Sequence, residues 1–194
     1  LDNAACKGKT CAFVFLAGIS FHHRPQVEAG AIVLPEGVLD RVVRHAVGIG
    51  QQAETLRRHG QHLKRGLLLY GPPGTGKTLT VRHLIGEARQ TTCILLSGNS
   101  LGMVTAAAEL ARAMQPALVV LEDVDLVAAA REFYGGPQPL LFAILDALDG
   151  LDGDADVAFI LTTNRADLLE PALAQRPGRV DLAGPHHPQV ARAP

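Results

Sequence analysis

The segment GPPGTGKT, residues 71–78, combines glycines, a lysine and a threonine at the spacing G-x-x-x-x-G-K-[ST]. Glycines let backbone N–H groups converge on phosphate oxygens, and the dipole of a following helix adds to the attraction. In this pattern the lysine reaches the β- and γ-phosphates, and the threonine hydroxyl contacts Mg²⁺. The segment therefore predicts a nucleotide-binding loop, with a chance match of a glycine-rich turn as the alternative. The predicted binding residues are Pro73, Gly74, Thr75, Gly76, Lys77, Thr78 and Leu79, and Thr78 is also a predicted metal ligand.

Three carboxylates follow an apolar segment in LVVLEDVDL, residues 118–126. Ligands of parallel α/β sheets bind beyond the carboxyl ends of the strands, so acids at this strand end would face the phosphates. Successive strand residues point to opposite faces, which predicts roles by position. Glu122 is predicted to hold the Mg²⁺ shell, and Asp123 to polarise the attacking water. The alternative is an ordinary strand end at which Glu122, Asp123 and Asp125 are all solvated.

Two further groups could act on a phosphate or on water. Asn164 follows an apolar segment at 157–163, and its neutral amide can orient a water without altering its charge. Asparagine is also a good helix N-cap, and both roles could hold. The sequence RPGR places Arg176 and Arg179 around a Pro-Gly turn, and arginine can clamp a phosphoryl group with two hydrogen bonds. Two solvated surface arginines are the alternative.

The elements that must position these groups alternate along the chain. Apolar segments predict strands at 66–70, 91–97, 117–122, 157–163 and, more briefly, 180–183. Helical spacing predicts helices from 34 to 47 and over 51–59, 76–88, 104–114 and 140–148. This alternation predicts a three-layer α/β fold with a parallel sheet, and the continuous apolar character predicts strands covered on both faces.

Composition restricts the class of protein. The 194 residues suit one domain or slightly more, and 47% hydrophobic residues suffice for a core. A net charge of −1 differs from the basic surface of nucleic-acid binders, so no nucleic-acid partner is expected. The apolar segment at 11–19 is too short to span a membrane and is predicted as a buried strand. Three cysteines without metal-like spacing indicate a reducing compartment, and we expect a cytoplasmic location.

In this order and at these intervals, GPPGTGKT, LVVLED, TTNR, EPAL and RPGR strongly resemble the AAA subgroup of AAA+ ATPases. The resemblance covers about residues 34–182. It implies a P-loop NTPase core that binds ATP or ADP with Mg²⁺ and hydrolyses ATP. It also implies a homo-oligomer, usually a hexameric ring, that acts on a protein partner. By position, Lys77 and Thr78 match the Walker A residues, while Glu122 and Asp123 match the Walker B pair.

The same resemblance assigns the remaining polar groups. Asn164 matches the sensor that orients the lytic water, and Arg176 and Arg179 match the fingers that reach a neighbouring subunit's ATP. The chain then divides into an N-terminal segment of unclear role at 1–33, the ATPase core at 34–183 and a frayed tail at 184–194. We expect a fragment of a longer protein from which the C-terminal helical lid is missing.

Two features depart from the general pattern of the family. The acids read Glu-Asp where most members have Asp-Glu, an order that looks most like the branch containing the mitochondrial translocase that matures the Rieske protein. The segment 97–116 is short and lacks an aromatic residue, whereas members that thread polypeptide carry an aromatic loop there. Two alternatives stay open: a non-hydrolysing switch that binds ATP to control assembly, and a P-loop kinase for a small molecule, which would gain nothing from TTNR or RPGR.

Overall fold

A computed structural model describes residues 9–14, 18–125, 143–144, 146–147, 149–150, 153–165 and 182–185. Seven strands within these residues form one sheet in the order β2-β1-β4-β5-β6-β3-β7. The strands are β1 (Lys9–Val14), β2 (Gly18–His23), β3 (Arg65–Tyr70), β4 (Thr92–Ser97), β5 (Ala117–Glu122), β6 (Val157–Thr163) and β7 (Leu182–Pro185). Each neighbouring pair is parallel except β1 and β2.

Helices cover both faces of this sheet. They are α1 (Val38–Val43), α2 (Ile49–Gln51), α3 (Ala53–Arg58), α4 (Lys77–Glu87) and α5 (Val104–Ala113). A π-helical turn, Arg44–Gly48, joins α1 to α2, and 3₁₀ turns form at Ala29–Ala31 and Gly98–Met103. The predicted three-layer α/β fold with a parallel sheet is confirmed.

Alternate residues of β5 show why its sequence is continuously apolar. Val119 and Leu121 belong to a core cluster that includes α5, whereas Leu118 and Val120 belong to a cluster that includes α4. All four are at most 1% exposed. A strand buried on both faces has no polar period, which is the reason for the unbroken apolar segment.

Several element boundaries differ from the predicted ones. The first helix begins at Val38 rather than near residue 34, because Gly37 adopts a left-handed conformation with φ 73° immediately before it. The single strand predicted at 11–19 is a pair, β1 and β2, with residues 15–17 outside the described set. The last strand lies at Leu182–Pro185 rather than 180–183. Of the helix predicted at 140–148, the described residues 143, 144, 146 and 147 are helical.

The N-terminal hairpin of β1 and β2 extends the sheet, and the residues that follow it contact α4. Strand β1 pairs in parallel with β4, and Arg24 follows β2 directly. The Arg24 guanidinium donates to the carbonyl oxygens of Ile85 and Ala88 at 2.6 Å each and of Thr91 at 2.6 Å. His83 Nδ1 donates to the Val27 carbonyl oxygen at 2.7 Å. Residues of the segment 1–33 are thus bound to the carboxyl end of α4.

A buried ion pair lies at the amino-terminal ends of β3 and β6. Arg65 Nη1 lies 2.8 Å from Asp156 Oδ1, and both side chains are at most 6% exposed. The same guanidinium donates to the carbonyl oxygens of Ala46 and Leu63. Every nitrogen of the guanidinium therefore has an acceptor, as a buried charge requires.

Among the described residues, no helix is both long and apolar enough to cross a bilayer.

Candidate nucleotide-binding site

The loop between β3 and α4 requires backbone conformations that glycine adopts readily. Gly74 and Gly76 have φ angles of 81° and 88°, and Gly76 is the residue that precedes α4. Nothing lies within 4 Å of a Cβ built on either glycine, so the space beside the loop is open. The Thr75 hydroxyl donates to the Pro72 carbonyl oxygen at 2.9 Å and holds the turn. The N–H groups of the first turn of α4 have no intrahelical acceptors and face this end of the helix.

Lys77 is the first residue of α4, and its ammonium lies within the loop rather than in solvent. It is 6% exposed. Nζ donates to the carbonyl oxygens of Gly71 and Pro72 at 2.7 and 3.0 Å, and to Asn164 Oδ1 at 2.9 Å. These contacts fix a positive charge at the mouth of the loop. Donors and a helix N-terminus at one point suit a phosphate group.

Burial lowers the pKa of Lys77, and two carboxylates oppose that effect. Asp123 and Asp125 both act on the ammonium through their charge and favour its protonated form. The acids that follow β5 are therefore close enough to the lysine to share an electrostatic site. The sheet order explains this proximity, because β6 lies between β3 and β5 and the three strands run parallel.

The two acids at the end of β5 differ in backbone conformation. Glu122 is the last residue of β5, whereas Asp123 lies outside the strand with φ 52°. The Asp123 N–H donates to Thr162 Oγ1 at 2.9 Å. The premise that strand alternation sets the directions of both acids is therefore wrong at Asp123, because the left-handed conformation ends the strand before it. Position-based roles for Glu122 and Asp123 stay a prediction.

The Glu122 carboxyl is half-buried and lies close to the charge of Asp123. Burial raises the pKa of Glu122, the charge of Asp123 raises it further, and Arg82 opposes both. A cation beside this carboxyl would favour its ionised form and offset the effect of burial. This environment fits the predicted role as a ligand of the Mg²⁺ shell.

Asp125 is the acid that sequence reasoning considered only as a solvated residue. It is 6% exposed, so that interpretation is wrong for Asp125. Its Oδ1 accepts from the Thr163 hydroxyl at 2.9 Å and from the Asn164 N–H at 3.0 Å, and its Oδ2 accepts from Asn164 Nδ2 at 3.3 Å. No local sequence signal marks this burial, because the donors to Asp125 lie 38 and 39 positions later in the chain.

The remaining predicted residues divide into those near the loop and those outside the described set. Thr78 and Leu79 belong to the first turn of α4, and Pro73 is exposed at the loop. The described residues contain no group of three or more histidine, cysteine or acidic side chains that would form a metal cage. Mg²⁺ is usually held by one or two carboxylates together with substrate phosphates, so Thr78 and Glu122 fit such a site. Arg176 and Arg179 lie outside the described residues.

The fold and the loop together define a P-loop nucleotide-binding protein of the α/β class. The family model "ATPase family associated with various cellular activities (AAA)" matches residues 67–183. The chain therefore belongs to the AAA family of ATPases, as the motifs predicted. Members of this family are typically oligomeric and generally use ATP or ADP with Mg²⁺.

Individual relatives agree with this assignment. The chain is 38% identical over 161 residues to the mitochondrial chaperone BCS1 of Homo sapiens, covering 78% of this chain and 38% of the relative. It is also 38% identical over 153 residues to the 26S proteasome regulatory subunit 6B homolog of Schizosaccharomyces pombe, covering 72% of this chain and 39% of the relative. The chain thus spans well under half the length of these relatives. The similarity to BCS1 agrees with the branch suggested by the Glu-Asp order.

Proposed function

We propose that this chain binds ATP with Mg²⁺ at residues 71–78 and hydrolyses it to ADP and phosphate. The observation that carries the proposal is the contact of Lys77 Nζ with Asn164 Oδ1 at 2.9 Å. It brings the phosphate loop and the end of β6 together beside the acids that follow β5. Polar groups held beside a bound phosphate can stabilise the charge that develops during hydrolysis.

Each side chain of the site has a proposed part in hydrolysis. Lys77 and the N–H groups at the start of α4 bind the phosphate oxygens, with Thr78 and Glu122 as ligands of the ion. The bound Mg²⁺ would neutralise phosphate charge. Asp123 polarises the attacking water as a general base, and Asn164 orients that water through its amide.

Two substitutions test the assignment of the acids. We expect Asp123→Asn to retain ATP without hydrolysis, and Glu122→Gln mainly to weaken Mg²⁺-dependent nucleotide binding. The measurements are phosphate release in steady state and nucleotide affinity by calorimetry with and without Mg²⁺. If Glu122→Gln traps ATP while Asp123→Asn still turns over, the roles belong to the opposite residues.

The oligomeric part of the proposal concerns the whole protein. We propose a homo-oligomeric ring, usually of six subunits in this family, in which Arg176 and Arg179 reach the nucleotide of the neighbouring subunit. An arginine finger is worth about 10³–10⁵ in rate, so hydrolysis would depend on assembly. Mixing an Arg179→Ala chain with an Asp123→Asn chain should restore part of the activity. No recovery at any mixing ratio would contradict action between subunits.

A protein substrate and a cytoplasmic location complete the proposal. One relative is named a chaperone and another a proteasome regulatory subunit, which supports a protein as the partner. The three cysteines of the sequence have no metal-like spacing, which supports a reducing compartment. Stimulation of ATP hydrolysis by an unfolded protein would test the partner, and absence of stimulation by any protein would count against it.

A second candidate is a switch that binds ATP without hydrolysing it. The observation that favours it is the left-handed backbone of Asp123, whose N–H is held by Thr162 at 2.9 Å. A general base must approach the water within about 2.6–3.2 Å or act through one water, and a shorter acid in this conformation has less freedom to do so. Single-turnover measurements separate the two functions, because a switch would release bound ATP unchanged.

A further inference from the structure

Asn164 lies between a group that only accepts hydrogen bonds and a group that only donates them. On one side, the Asp125 carboxylate accepts the Asn164 backbone N–H at 3.0 Å and side-chain Nδ2 at 3.3 Å. On the other side, the Lys77 ammonium donates to Asn164 Oδ1 at 2.9 Å. A carboxylate has no proton to donate and an ammonium has no lone pair to accept with. Together they allow one of the two orientations of the amide.

We propose that Asp125 is a positioning residue that fixes the Asn164 amide with its oxygen toward the phosphate loop. The proposal rests on the ATPase function proposed above and deepens it. The group that Asn164 presents beside Lys77 is an acceptor, so it takes an O–H of the attacking water and does not donate to a phosphate oxygen. A water held in this way keeps a lone pair free for attack on phosphorus.

The Asp125 carboxylate is itself held by rigid structure. The side chain is buried, and its Oδ1 accepts from the hydroxyl of Thr163, the last residue of β6, at 2.9 Å. Thr163 is fully buried, and β6 pairs with β3 and β5 on its two sides. The Asn164 backbone N–H donates to the same oxygen at 3.0 Å, so the carboxylate keeps a backbone donor when the Thr163 hydroxyl is removed. Second contacts of this kind determine the orientation of a functional side chain.

A purely structural role for Asp125 would be to tie the end of β5 to the end of β6. Thr163→Val separates this possibility from positioning. It removes the hydroxyl that donates to Asp125 and accepts the Arg165 N–H at 2.9 Å, and it leaves both Asn164 contacts possible. Valine has nearly the shape of threonine. If the tie between strands were the function, Thr163→Val and Asp125→Ala would have similar effects. Under the proposal, Asp125→Ala changes the orientation of the Asn164 side-chain amide and Thr163→Val does not.

The first test observes the amide without any nucleotide. Asparagine occurs at positions 3, 99 and 164 only, so selective ¹⁵N labelling of asparagine gives a simple spectrum of side-chain amides. Asn164→Ala identifies the Asn164 pair. We expect Asp125→Ala to shift that pair and speed its hydrogen exchange at least tenfold, while Thr163→Val changes it little. An Asn164 pair unchanged by Asp125→Ala would overturn the proposal, as would equal changes in both variants.

If Asp125→Ala does not fold, Asp125→Asn serves instead. It retains the size of the side chain and one acceptor oxygen, and it adds one further amide pair to the spectrum. The added amide can donate, so the orientation of Asn164 is no longer unique. We expect the Asn164 pair to broaden or double in this variant. A single sharp Asn164 pair at the original position would contradict the proposal.

The second test is a double-mutant cycle on hydrolysis by the full-length protein. We expect Asp125→Ala to lower kcat about 10- to 100-fold with a KM within twofold, since misplacement by about 1 Å can cost 10²-fold. Because Asp125 acts through Asn164, Asp125→Ala should lower kcat no further in an Asn164→Ala background. If the two decreases in kcat multiply in the double variant, the proposal is overturned. If Asn164→Ala leaves kcat unchanged, the proposed role of Asn164 fails, and the amide spectrum still decides how Asp125 acts.

Discussion

Lys77 and Asn164 are 87 positions apart in the sequence, and the lysine Nζ donates to the asparagine Oδ1 at 2.9 Å. The contact joins the first turn of α4 to the residue that follows β6. The same ammonium also donates to the carbonyl oxygens of Gly71 and Pro72. Lys77 therefore connects the loop that would bind phosphate with the amide that would orient water.

The first prediction concerns nucleotide affinity. Lys77→Ala should raise the Kd for ATP about 10- to 100-fold, because a hydrogen bond to a charged group contributes about 1.5–3 kcal/mol. Isothermal titration calorimetry measures the change. Lys64→Ala is the matched control, since Lys64 precedes β3 and lies at the opposite end of that strand from the loop. Equal affinities of the Lys77 variant and the parent would exclude the loop as the binding site.

The second prediction concerns stability as a function of pH. Burial raises the pKa of Glu122, with a further contribution from Asp123. A carboxyl group with a raised folded-state pKa contributes stability that is present below its unfolded pKa, about 4.3, and lost as pH rises through the folded pKa. Glu122→Gln cannot ionise, so it should unfold at a higher temperature than the parent at pH 7. The difference should narrow at pH 4.

Thermal unfolding followed by circular dichroism at pH 4 and pH 7 measures this effect. Glu54→Gln is the control, because Glu54 is 71% exposed and its ion pair among the described residues is with Arg58 on the same helix. Its stability relative to the parent should change little between the two pH values. A gain from Glu122→Gln that is the same at pH 4 and pH 7 would show that ionisation of Glu122 is not its cause.

The third prediction concerns the backbone of Asp123. Its φ of 52° costs about 1–2 kcal/mol for most residues with a Cβ and little for glycine. Asp123→Gly should therefore be more stable than Asp123→Ala. In a chain of this size each kcal/mol of difference raises Tm by about 2–4 °C, which thermal unfolding measures. The order is the reverse of that in an ordinary helix or strand. An alanine variant as stable as the glycine variant would mean that the backbone rearranges there.

The fourth prediction concerns Arg24. Arg24→Met keeps much of the apolar stem and removes the donors to Ile85, Ala88 and Thr91, leaving their carbonyl oxygens without this partner. We expect a loss of about 2–3 kcal/mol in the free energy of unfolding, measured by urea denaturation. Arg58→Met, at an arginine that is 73% exposed, should change it by less than about 0.5 kcal/mol. Equal losses of unfolding free energy in the two variants would mean that the hydrogen bonds of the Arg24 guanidinium do not stabilise the fold.

Much of the fold could be predicted from the sequence, because a strand buried on both faces has a continuously apolar sequence. The apolar segments at 117–122 and 157–163 coincide with β5 and β6. The phosphate loop could be predicted as well, since glycines at fixed spacing report backbone angles that other residues avoid. These features depend on short stretches of neighbouring residues.

The features that sequence reasoning missed depend on partners distant in the chain. Asp125 is buried because Thr163 and Asn164, 38 and 39 positions later, supply its donors. An acid after a strand gives no sign of such partners. Arg24 binds backbone carbonyl groups, which have no sequence signature at all. The left-handed Asp123 follows from the need to end β5 at that point, and the weak preference of aspartate for this conformation does not predict it.

The attachment of Arg24 also has a consequence for the order of folding during synthesis. Its acceptors lie 61 to 67 positions later, and they come together only when α4 has formed and the chain has turned toward β4. Synthesis proceeds at about 5–20 residues per second, so the N-terminal hairpin leaves the ribosome several seconds before its attachment site exists. Throughout that time the edge of β1 that later pairs with β4 has unpaired backbone groups. Such an edge is a template for pairing with other chains, so slow synthesis of residues 85 to 97 would increase aggregation.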